Sequence, residues 1–293
     1  MSSEYTALPP EFLQAHPALS LLRLAALSAG PDGMLDDDTL ELMFEQVETG
    51  ALILIAASDV WPELVRGLMA QTPSNMFRAL FACGALAEVL PDVAAVFGVP
   101  QIVGDPPEVD IGQHLLRVLD EAARCGAPLA VRFAAMAMHV GKADSPPEHL
   151  PVHYRHVERG RPRIEAMCAR FGVPADCREL ALLALVECER IHRVGEVRAG
   201  PVAALLARVG AFDQPERYAQ LMTLCACDYR AYGGRAAQAY PKGVLLERAL
   251  KACGGIDTAA PGASAETADA LQEARAAAIA LAFRSERWSD SQA

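Results

Sequence analysis

Apolar residues recur at helical spacing along almost the whole chain, and alternating strand patterns bounded by hairpin turns are not found. Helix start signals precede several of these segments. Asp38 followed by Glu41 predicts the start of one helix. Asp176 followed by Glu179 predicts the start of another, which runs towards His192. The pattern therefore predicts an all-α protein.

Further helices are predicted in the second half of the chain. Asp213 with Glu216 indicates the start of a helix that carries Asp228, and a last helix is predicted over residues 264–284. The segment Leu129–Val140 is apolar on nearly every side. This composition is typical of a helix buried in the middle of a bundle.

The composition predicts a large core and a reducing environment. The chain has 293 residues, 52% hydrophobic and 22% charged, enough for one large domain or two smaller ones. Its eight cysteines form no C-x-x-C pair, and a core of this size needs no disulfides. Apolar stretches such as Ala276–Phe283 are too short to span a bilayer, and the N-terminus MSSEYTALPPEF lacks a secretory signal pattern. We therefore predict a cytoplasmic protein with reduced thiols.

The net charge of −11 disfavours general binding of nucleic acid, because neutralisation of phosphates dominates that affinity. Acidic residues concentrate in residues 1–150, whereas residues 151–250 carry an excess of basic ones. Arg155, Arg159 and Arg161 lie in the segment HYRHVERGRPR. One interpretation is a surface that binds phosphate or RNA. The alternative is a solvated loop and helical turn whose arginines pair with the acidic N-terminal third.

Five of the seven histidines fall between positions 114 and 156, namely His114, His139, His149, His153 and His156. Neutral imidazole binds first-row metals, and a carboxylate often completes such a site. A spacing of three places His153 and His156 on one face if their segment is helical. A single histidine is nevertheless more often a core or surface residue than a ligand. The histidines alone therefore leave the question of a site open.

Two long segments carry a family resemblance: HLLRVLDEAARCGAPLAVRFAAMAMHVGK and, after it, LPVHYRHVERGRPRIEAMCARFGVPADCRELALLALVECERIH. They resemble the HD domain of bacterial CCA-adding tRNA nucleotidyltransferases. Upstream, MFRALFACGALAEVLPDVAAVFGVPQ is similar to the helical segment that precedes this domain in the same enzymes. Downstream, CDYRAYGG and AYPKGVLLERAL are similar to its closing helices. The resemblance rests on the order and spacing of the segments.

This resemblance covers roughly residues 30–285 and implies the fold class. We expect an all-α, HD-domain-like helical bundle with an N-terminal helical subdomain. Residues 1–105 are expected to form a helical region similar to the RNA-binding segment of these enzymes. Residues 106–235 are expected to form a degenerate HD-like domain, and residues 236–293 the C-terminal helices.

One departure from the family concerns its nucleotidyltransferase head. That head needs a strand-borne Gly-Ser followed by paired aspartates that hold catalytic Mg²⁺. The acidic run Asp36–Asp38 opens a predicted helix and lacks this context. We therefore expect no CCA addition by this sequence on its own.

A second departure concerns the metal centre of the HD domain. The family pattern places its His-Asp dyad on Met138 and His139, and a second His-Asp pair on Cys188 and Glu189. The thioether of Met138 cannot replace an imidazole for a hard divalent ion. The pattern is matched, and metal ligation is implied, at His114, His153, His156 and Asp228. We therefore predict a metal site of altered composition, formed by these residues and His139.

The resemblance also implies phosphoester chemistry for the groups that remain. A divalent ion (Mg²⁺, Mn²⁺, Ni²⁺ or Co²⁺) would act as a Lewis acid and activate a bound water, with Asp228 and Lys142 as catalytic residues. Contacts to phosphate or RNA are expected from Lys142, Arg155, Arg159 and Arg161. Because the dyad's carboxylate is missing, we expect weakened affinity for the metal.

Three functions are compatible with this sequence. The leading hypothesis is a protein related to tRNA nucleotidyltransferases that binds a nucleotide, a phosphorylated ligand or tRNA through a degenerate phosphohydrolase centre. An alternative is an active metal-dependent phosphohydrolase that acts on substrates such as 2′,3′-cyclic nucleotides. The third is a protein-interaction module that docks to a separate nucleotidyltransferase.

Overall fold

The structure, a computed structural model, describes residues 8–31, 33, 35–53, 55–102, 108–195, 198–256 and 265–289. Helices supply nearly all the regular structure in these ranges, so the all-α prediction of an HD-like helical bundle is confirmed. No helix in this part of the chain combines the length and apolar character needed to cross a membrane. The expected boundary between residues 105 and 106 lies outside the described residues.

The helices, numbered in chain order, begin and end as follows: α1 Pro10–Ala15, α2 Pro17–Leu27, α3 Asp37–Glu48, α4 Ala57–Leu68, α5 Pro73–Ala82, α6 Ala85–Val89, α7 Pro91–Ala94, α8 Ile111–Arg124, α9 Leu129–Ala137, α10 His156–Phe171, α11 Ala175–Arg193, α12 Ala199–Arg208, α13 Pro215–Arg230, α14 Pro241–Ala252 and α15 Ala265–Ser289. Two 3₁₀ turns cover Val140–Lys142 and Pro147–His149.

A small antiparallel sheet was not predicted. Its strands are β1 (Pro100–Ile102) and β2 (Glu108–Asp110), with Pro100 opposite Asp110. Strands of three residues are too short to produce a recognisable alternation of apolar and polar positions. Asp110 then caps α8, because its Oδ1 accepts a hydrogen bond of 2.7 Å from the backbone N–H of Gln113.

The first predicted helix start requires a correction. Asp36, rather than Asp38, is the N-cap of α3, and its Oδ1 accepts a 2.8 Å hydrogen bond from the backbone N–H of Thr39. Asp38 lies within the first turn, where a carboxylate interacts favourably with the helix dipole. The hydrogen bond from Thr39 lowers the pKa of Asp36 below its ordinary value.

Asp36→Ala is expected to lower the urea midpoint of unfolding slightly at pH 7, whereas Asp38→Ala changes it less. The pKa of Asp36 is lower in the folded than in the unfolded protein, so its contribution to the free energy of unfolding is fully present above the unfolded pKa. The contribution disappears as the pH falls through the folded pKa, and the wild-type and Asp36→Ala midpoints should then converge. Equal losses from both variants at pH 7 would contradict the assignment of the cap.

Helix α9 lies at the centre of the bundle. Its residues from Ala130 to Ala137 are all buried, and it packs against α8, α11 and α13. The helix ends three residues before the predicted end at Val140, and the first 3₁₀ turn follows. A Cβ on Gly141 in that turn would overlap the His156 carbonyl oxygen. The turn therefore packs closely against the start of α10.

Candidate functional site

Three histidines from separate segments surround the buried carboxylate of Asp228. Asp228 Oδ1 lies 2.9 Å from His114 Nε2 and 3.7 Å from His139 Nε2. Asp228 Oδ2 lies 2.9 Å from His192 Nε2. Helices α8, α11 and α13 carry His114, His192 and Asp228, and His139 follows the end of α9. The centre thus forms where four helices of the bundle, α8, α9, α11 and α13, meet.

The contacts of the His114 ring set its orientation. The residue lies in the first turn and on the buried face of this helix, and it is fully inaccessible to solvent. Its ring stacks on Tyr232, with the ring centroids 4.1 Å apart and the planes inclined by 20°. Stacking and the hydrogen bond to Asp228 together hold the imidazole in place.

The surroundings of each group set its charge. Burial alone would raise the pKa of Asp228, but its contacts with His114, His139 and His192 hold that pKa well below the ordinary range. Burial and the nearby ammonium of Lys142 lower the pKa of His139 to about 4, so His139 is neutral at pH 7.

His192 has the opposite character. Burial works against its protonation, but the Cys188 sulfur and the Asp228 carboxylate raise the pKa of His192 to about 10. Its Nε2–H then donates to Asp228, and its Nδ1–H donates to the Tyr240 hydroxyl at 2.8 Å. Asp228 and His192 therefore form a buried ion pair at neutral pH.

Lys142, predicted to contact phosphate, is buried and already has partners. Its Nζ lies 2.9 Å from Glu189 Oε1 and donates to Gln101 Oε1 at 2.9 Å. Burial raises the pKa of Glu189, but the Lys142 ammonium outweighs this effect and lowers the pKa to about 2. The positive charge of Lys142 is therefore balanced by Glu189 in the free protein.

Two predicted histidine ligands lie away from the Asp228 centre. The Nδ1 of His153 lies 2.7 Å from the Ser145 hydroxyl, and its Nε2 lies 2.9 Å from the Pro100 carbonyl oxygen. His156 Nε2 is 3.8 Å from Glu189 Oε1. Because α10 begins at His156, the two histidines do not share a helical face.

The three predicted arginines have partners close by in sequence or space. Arg155 and Arg161 pair with Glu158 and Glu165 of α10, at 2.7 and 3.7 Å. Arg159 donates to the Gly141 carbonyl and the Ser145 hydroxyl, each at 3.0 Å. Gly141 and Ser145 lie within the acidic region of residues 1–150, and so do Asp92 and Asp144, which form ion pairs with Arg163 of the same segment.

A cavity of about 310 Å³ opens in front of Asp228. The tyrosines Tyr229, Tyr232 and Tyr240 form part of its wall, and Met138 also lines it. Its cationic lining consists of Lys142, Arg193, Arg235 and Lys242. The guanidinium of Arg235 lies 4.9 Å from the ring centroid of Tyr229 and 5.3 Å from that of Tyr232.

The resemblance to the HD domain implies a divalent metal ion near Asp228, and the ligand atoms present there decide whether such an ion fits. Ligand atoms of His114, His139 and Asp228 lie within 4.8 Å of one another. The buried His139 Nε2 has no hydrogen-bond partner, which leaves it available as a ligand. Two imidazoles and a carboxylate fit a first-row transition metal, whereas Mg²⁺ prefers oxygen ligands. The residues therefore fit a three-ligand site without the family's second carboxylate.

Sequence reasoning missed His192, Tyr232 and Tyr240 as members of the site. The spacing of Cys188 and His192 places both on one face of α11 and was the one available signal. The tyrosines reach the centre through tertiary packing, which no local pattern reports.

Curated relatives of the chain share one description. "Multifunctional CCA protein" from Chromobacterium violaceum is 42% identical over 246 residues, covering 84% of this chain and 60% of the relative. The proteins of that description from Verminephrobacter eiseniae and Paraburkholderia phymatum are each 41% identical over 269 residues. These matches cover 89% and 90% of this chain, and 65% and 64% of the relatives.

No protein-family model matches the chain. The chain spans less than two thirds of the length of these three relatives. Identity near 41% over most of the chain nevertheless confirms the resemblance found in the sequence. The chain is homologous to a partial, C-terminal-type region of the multifunctional CCA proteins.

Proposed function

We propose that the cavity beside Asp228 binds a phosphorylated ligand, either a nucleotide or a terminal phosphate of tRNA, with little or no turnover. The observation that carries this proposal is the convergence of Arg235 and Lys242 on one cavity that also has aromatic walls. Guanidinium and ammonium groups are the usual protein partners of phosphate. The resemblance to CCA-adding tRNA nucleotidyltransferases and the homology with multifunctional CCA proteins support tRNA and nucleotide as the ligand class.

The cavity suits one nucleotide unit. A volume of about 310 Å³ lies at the small end of the range for ligand pockets, about 300–1,000 Å³. Tyr229 offers aromatic surface for a base, whereas Tyr232 is already stacked on His114, and the phosphate would lie against Arg235 and Lys242. Lys142 is held by Glu189 and would contribute mainly by shaping the base of the cavity.

The centre is proposed to be degenerate because its carboxylate is already engaged. Asp228 interacts with His114 and His192, and Met138 occupies the position of the family's first dyad residue. A dication held by two imidazoles and one carboxylate has less negative charge around it than in the family pattern. CCA addition is not part of the function proposed for this sequence. The cytoplasmic location stays a prediction from the sequence.

A second candidate is an active phosphohydrolase, favoured by the close grouping of His114, His139 and Asp228. A divalent ion bound there would supply Lewis-acid activation of water and phosphate. His139, neutral at pH 7, would serve as a ligand without first losing a proton. Arg235 would neutralise charge on the phosphate oxygens.

Titration with a fluorescent adenosine monophosphate tests the binding proposal. Arg235→Ala and Lys242→Ala are each expected to raise the Kd about tenfold, because each removes a charge-assisted hydrogen bond to phosphate. Lys251→Ala on α14 is the matched control, since Lys251 is exposed and does not line the cavity, and should leave the Kd unchanged. Unchanged affinity in the Arg235 and Lys242 variants would contradict the proposed pocket.

A further inference from the structure

Two buried cysteines lie close to His192, the histidine that contacts Oδ2 of Asp228. Cys188 Sγ lies 3.4 Å from His192 Nε2 and 3.6 Å from Cys225 Sγ. Ligand atoms of Cys188, His192 and Cys225 all lie within 4.8 Å of one another. The group combines two sulfurs and one imidazole nitrogen, which are the preferred ligands of Zn²⁺.

The spacing of these atoms matches the edges of a tetrahedral zinc site. With Zn–S and Zn–N bonds of about 2.3 and 2.05 Å, a tetrahedron has S···S edges of about 3.8 Å and S···N edges of about 3.6 Å. The observed distances of 3.6 Å between Cys188 and Cys225 and 3.4 Å between Cys188 and His192 differ from these by about 0.2 Å. Small side-chain adjustments would bring the ligands to a common ion.

The ligand positions follow from two packed helices. Cys188 and His192 lie one turn apart on α11, and Cys225 and Asp228 lie one turn apart on α13. Spacings of four and three residues direct each pair towards the neighbouring helix. The helices pack directly against each other, so both pairs meet at their interface.

The carboxylate of Asp228 lies beside the imidazole of this group. Its Oδ2 lies 2.9 Å from His192 Nε2, while its Oδ1 lies 2.9 Å from His114 Nε2. The other nitrogen of His192, Nδ1, lies 2.8 Å from the Tyr240 hydroxyl. A hydrogen bond of this kind commonly orients a metal-bound imidazole.

We propose that Cys188, His192 and Cys225 bind one Zn²⁺ ion. Binding replaces the two thiol protons and the Nε2 proton of His192, and these protons are released to solvent. Cys188, His192 and Asp228 line the cavity, which gives the ion a path from solvent, whereas Cys225 is fully buried behind them. Two ligands come from α11 and one from α13, so the ion joins these helices, and its fourth position is left to water from the cavity.

This inference goes beyond the proposed function, which needs only the cationic wall of the cavity. The zinc site also differs from the HD metal centre in its ligands. It uses two thiolates and His192, whereas the HD centre would use His114, His139 and Asp228. The same fold would thus hold a soft-ligand site where the family pattern has His-Asp at positions 188 and 189.

X-ray absorption at the zinc edge tests the proposal without any substitution. The metal-free chain of 293 residues is loaded with one equivalent of Zn²⁺ for this measurement. We expect two sulfur scatterers at about 2.3 Å and nitrogen or oxygen scatterers at about 2.0 Å. Zinc with only nitrogen and oxygen neighbours, or no stoichiometric uptake by the folded chain, would overturn the proposal.

Cobalt titration assigns the ligands. Co²⁺ should give a thiolate-to-metal charge-transfer band in the wild type, and Cys188→Ser or Cys225→Ser should abolish it. Cys168→Ser is the matched control, because Cys168 is also buried but lies on α10 away from the group. His139→Ala should retain the band, which separates this site from the HD centre. A band that persists in the Cys188 and Cys225 variants would contradict the assignment.

The results of the zinc and cobalt experiments do not depend on the affinity of the protein for a nucleotide. If zinc binds through sulfur but Arg235→Ala leaves nucleotide binding unchanged, the zinc site stands and the proposed function fails. If nucleotide binding behaves as proposed but zinc has no sulfur ligands, the reverse holds.

Discussion

Asp228→Ala is expected to destabilise the metal-free protein by about 3 kcal/mol, because it leaves a buried cation without its partner. In the wild type, Asp228 accepts hydrogen bonds of 2.9 Å from both His114 and His192. Without the carboxylate, His192 must either stay charged in a buried position or lose its proton. Both alternatives cost free energy, and a small cavity adds to the loss.

Urea unfolding at pH 7 in the presence of a chelator measures this effect. Asp213→Ala is the matched control, since Asp213 is exposed just before α13 and should change stability by less than about 0.5 kcal/mol. Equal unfolding midpoints for the Asp228 and Asp213 variants would show that the carboxylate is not a stabilising partner of the histidines.

Arg132→Leu is expected to destabilise the protein by about 4 kcal/mol, because three carbonyl groups lose their donor. The buried guanidinium donates to the carbonyl oxygens of Leu68, Ala70 and Ala127 at 2.8, 2.9 and 2.9 Å. It thereby joins α9 to the end of α4 and to the turn before α9. Leucine preserves most of the apolar contact but supplies no hydrogen bond.

Arg117→Leu provides the comparison for this substitution. Arg117 lies on the exposed face of α8, and its replacement should leave the free energy of unfolding within about 0.5 kcal/mol of the wild type. A destabilisation by Arg132→Leu no larger than that of Arg117→Leu would mean that water replaces the guanidinium without cost.

Most of the helical fold could be predicted because helical periodicity is a local property of the sequence. The uniformly apolar segment at positions 129–140 predicted the central helix α9, and the structure confirms its burial. The cap of α3 was misplaced because Asp36, Asp37 and Asp38 are chemically equivalent cap candidates in the sequence. Strands β1 and β2 were missed because three residues carry too little pattern. The division at residues 105 and 235 stays a prediction.

The candidate site was only partly predictable. The family pattern placed His114, His139 and Asp228 correctly near one another. His192 and Tyr240 were missed because their hydrogen bond joins positions 48 residues apart. The arginine cluster of α10 was predicted to face phosphate or the acidic N-terminal third. Arg155 and Arg161 pair locally with glutamates three and four residues further along, whereas Arg163 pairs with Asp92 and Asp144 of the acidic region.

Phosphorus NMR of 2′,3′-cyclic AMP mixed with the protein tests the central claim most directly. Spectra are recorded first without metal and then with a diamagnetic ion, Zn²⁺ or Mg²⁺. One experiment reports both binding and turnover at the phosphate. A pocket that binds without efficient hydrolysis predicts a shifted or broadened ligand resonance and no accumulating monophosphate product, with the shift lost in Arg235→Ala. Catalytic conversion to the monophosphate, abolished by His114→Ala, would contradict the degenerate centre, and an unperturbed ligand resonance would contradict the pocket itself.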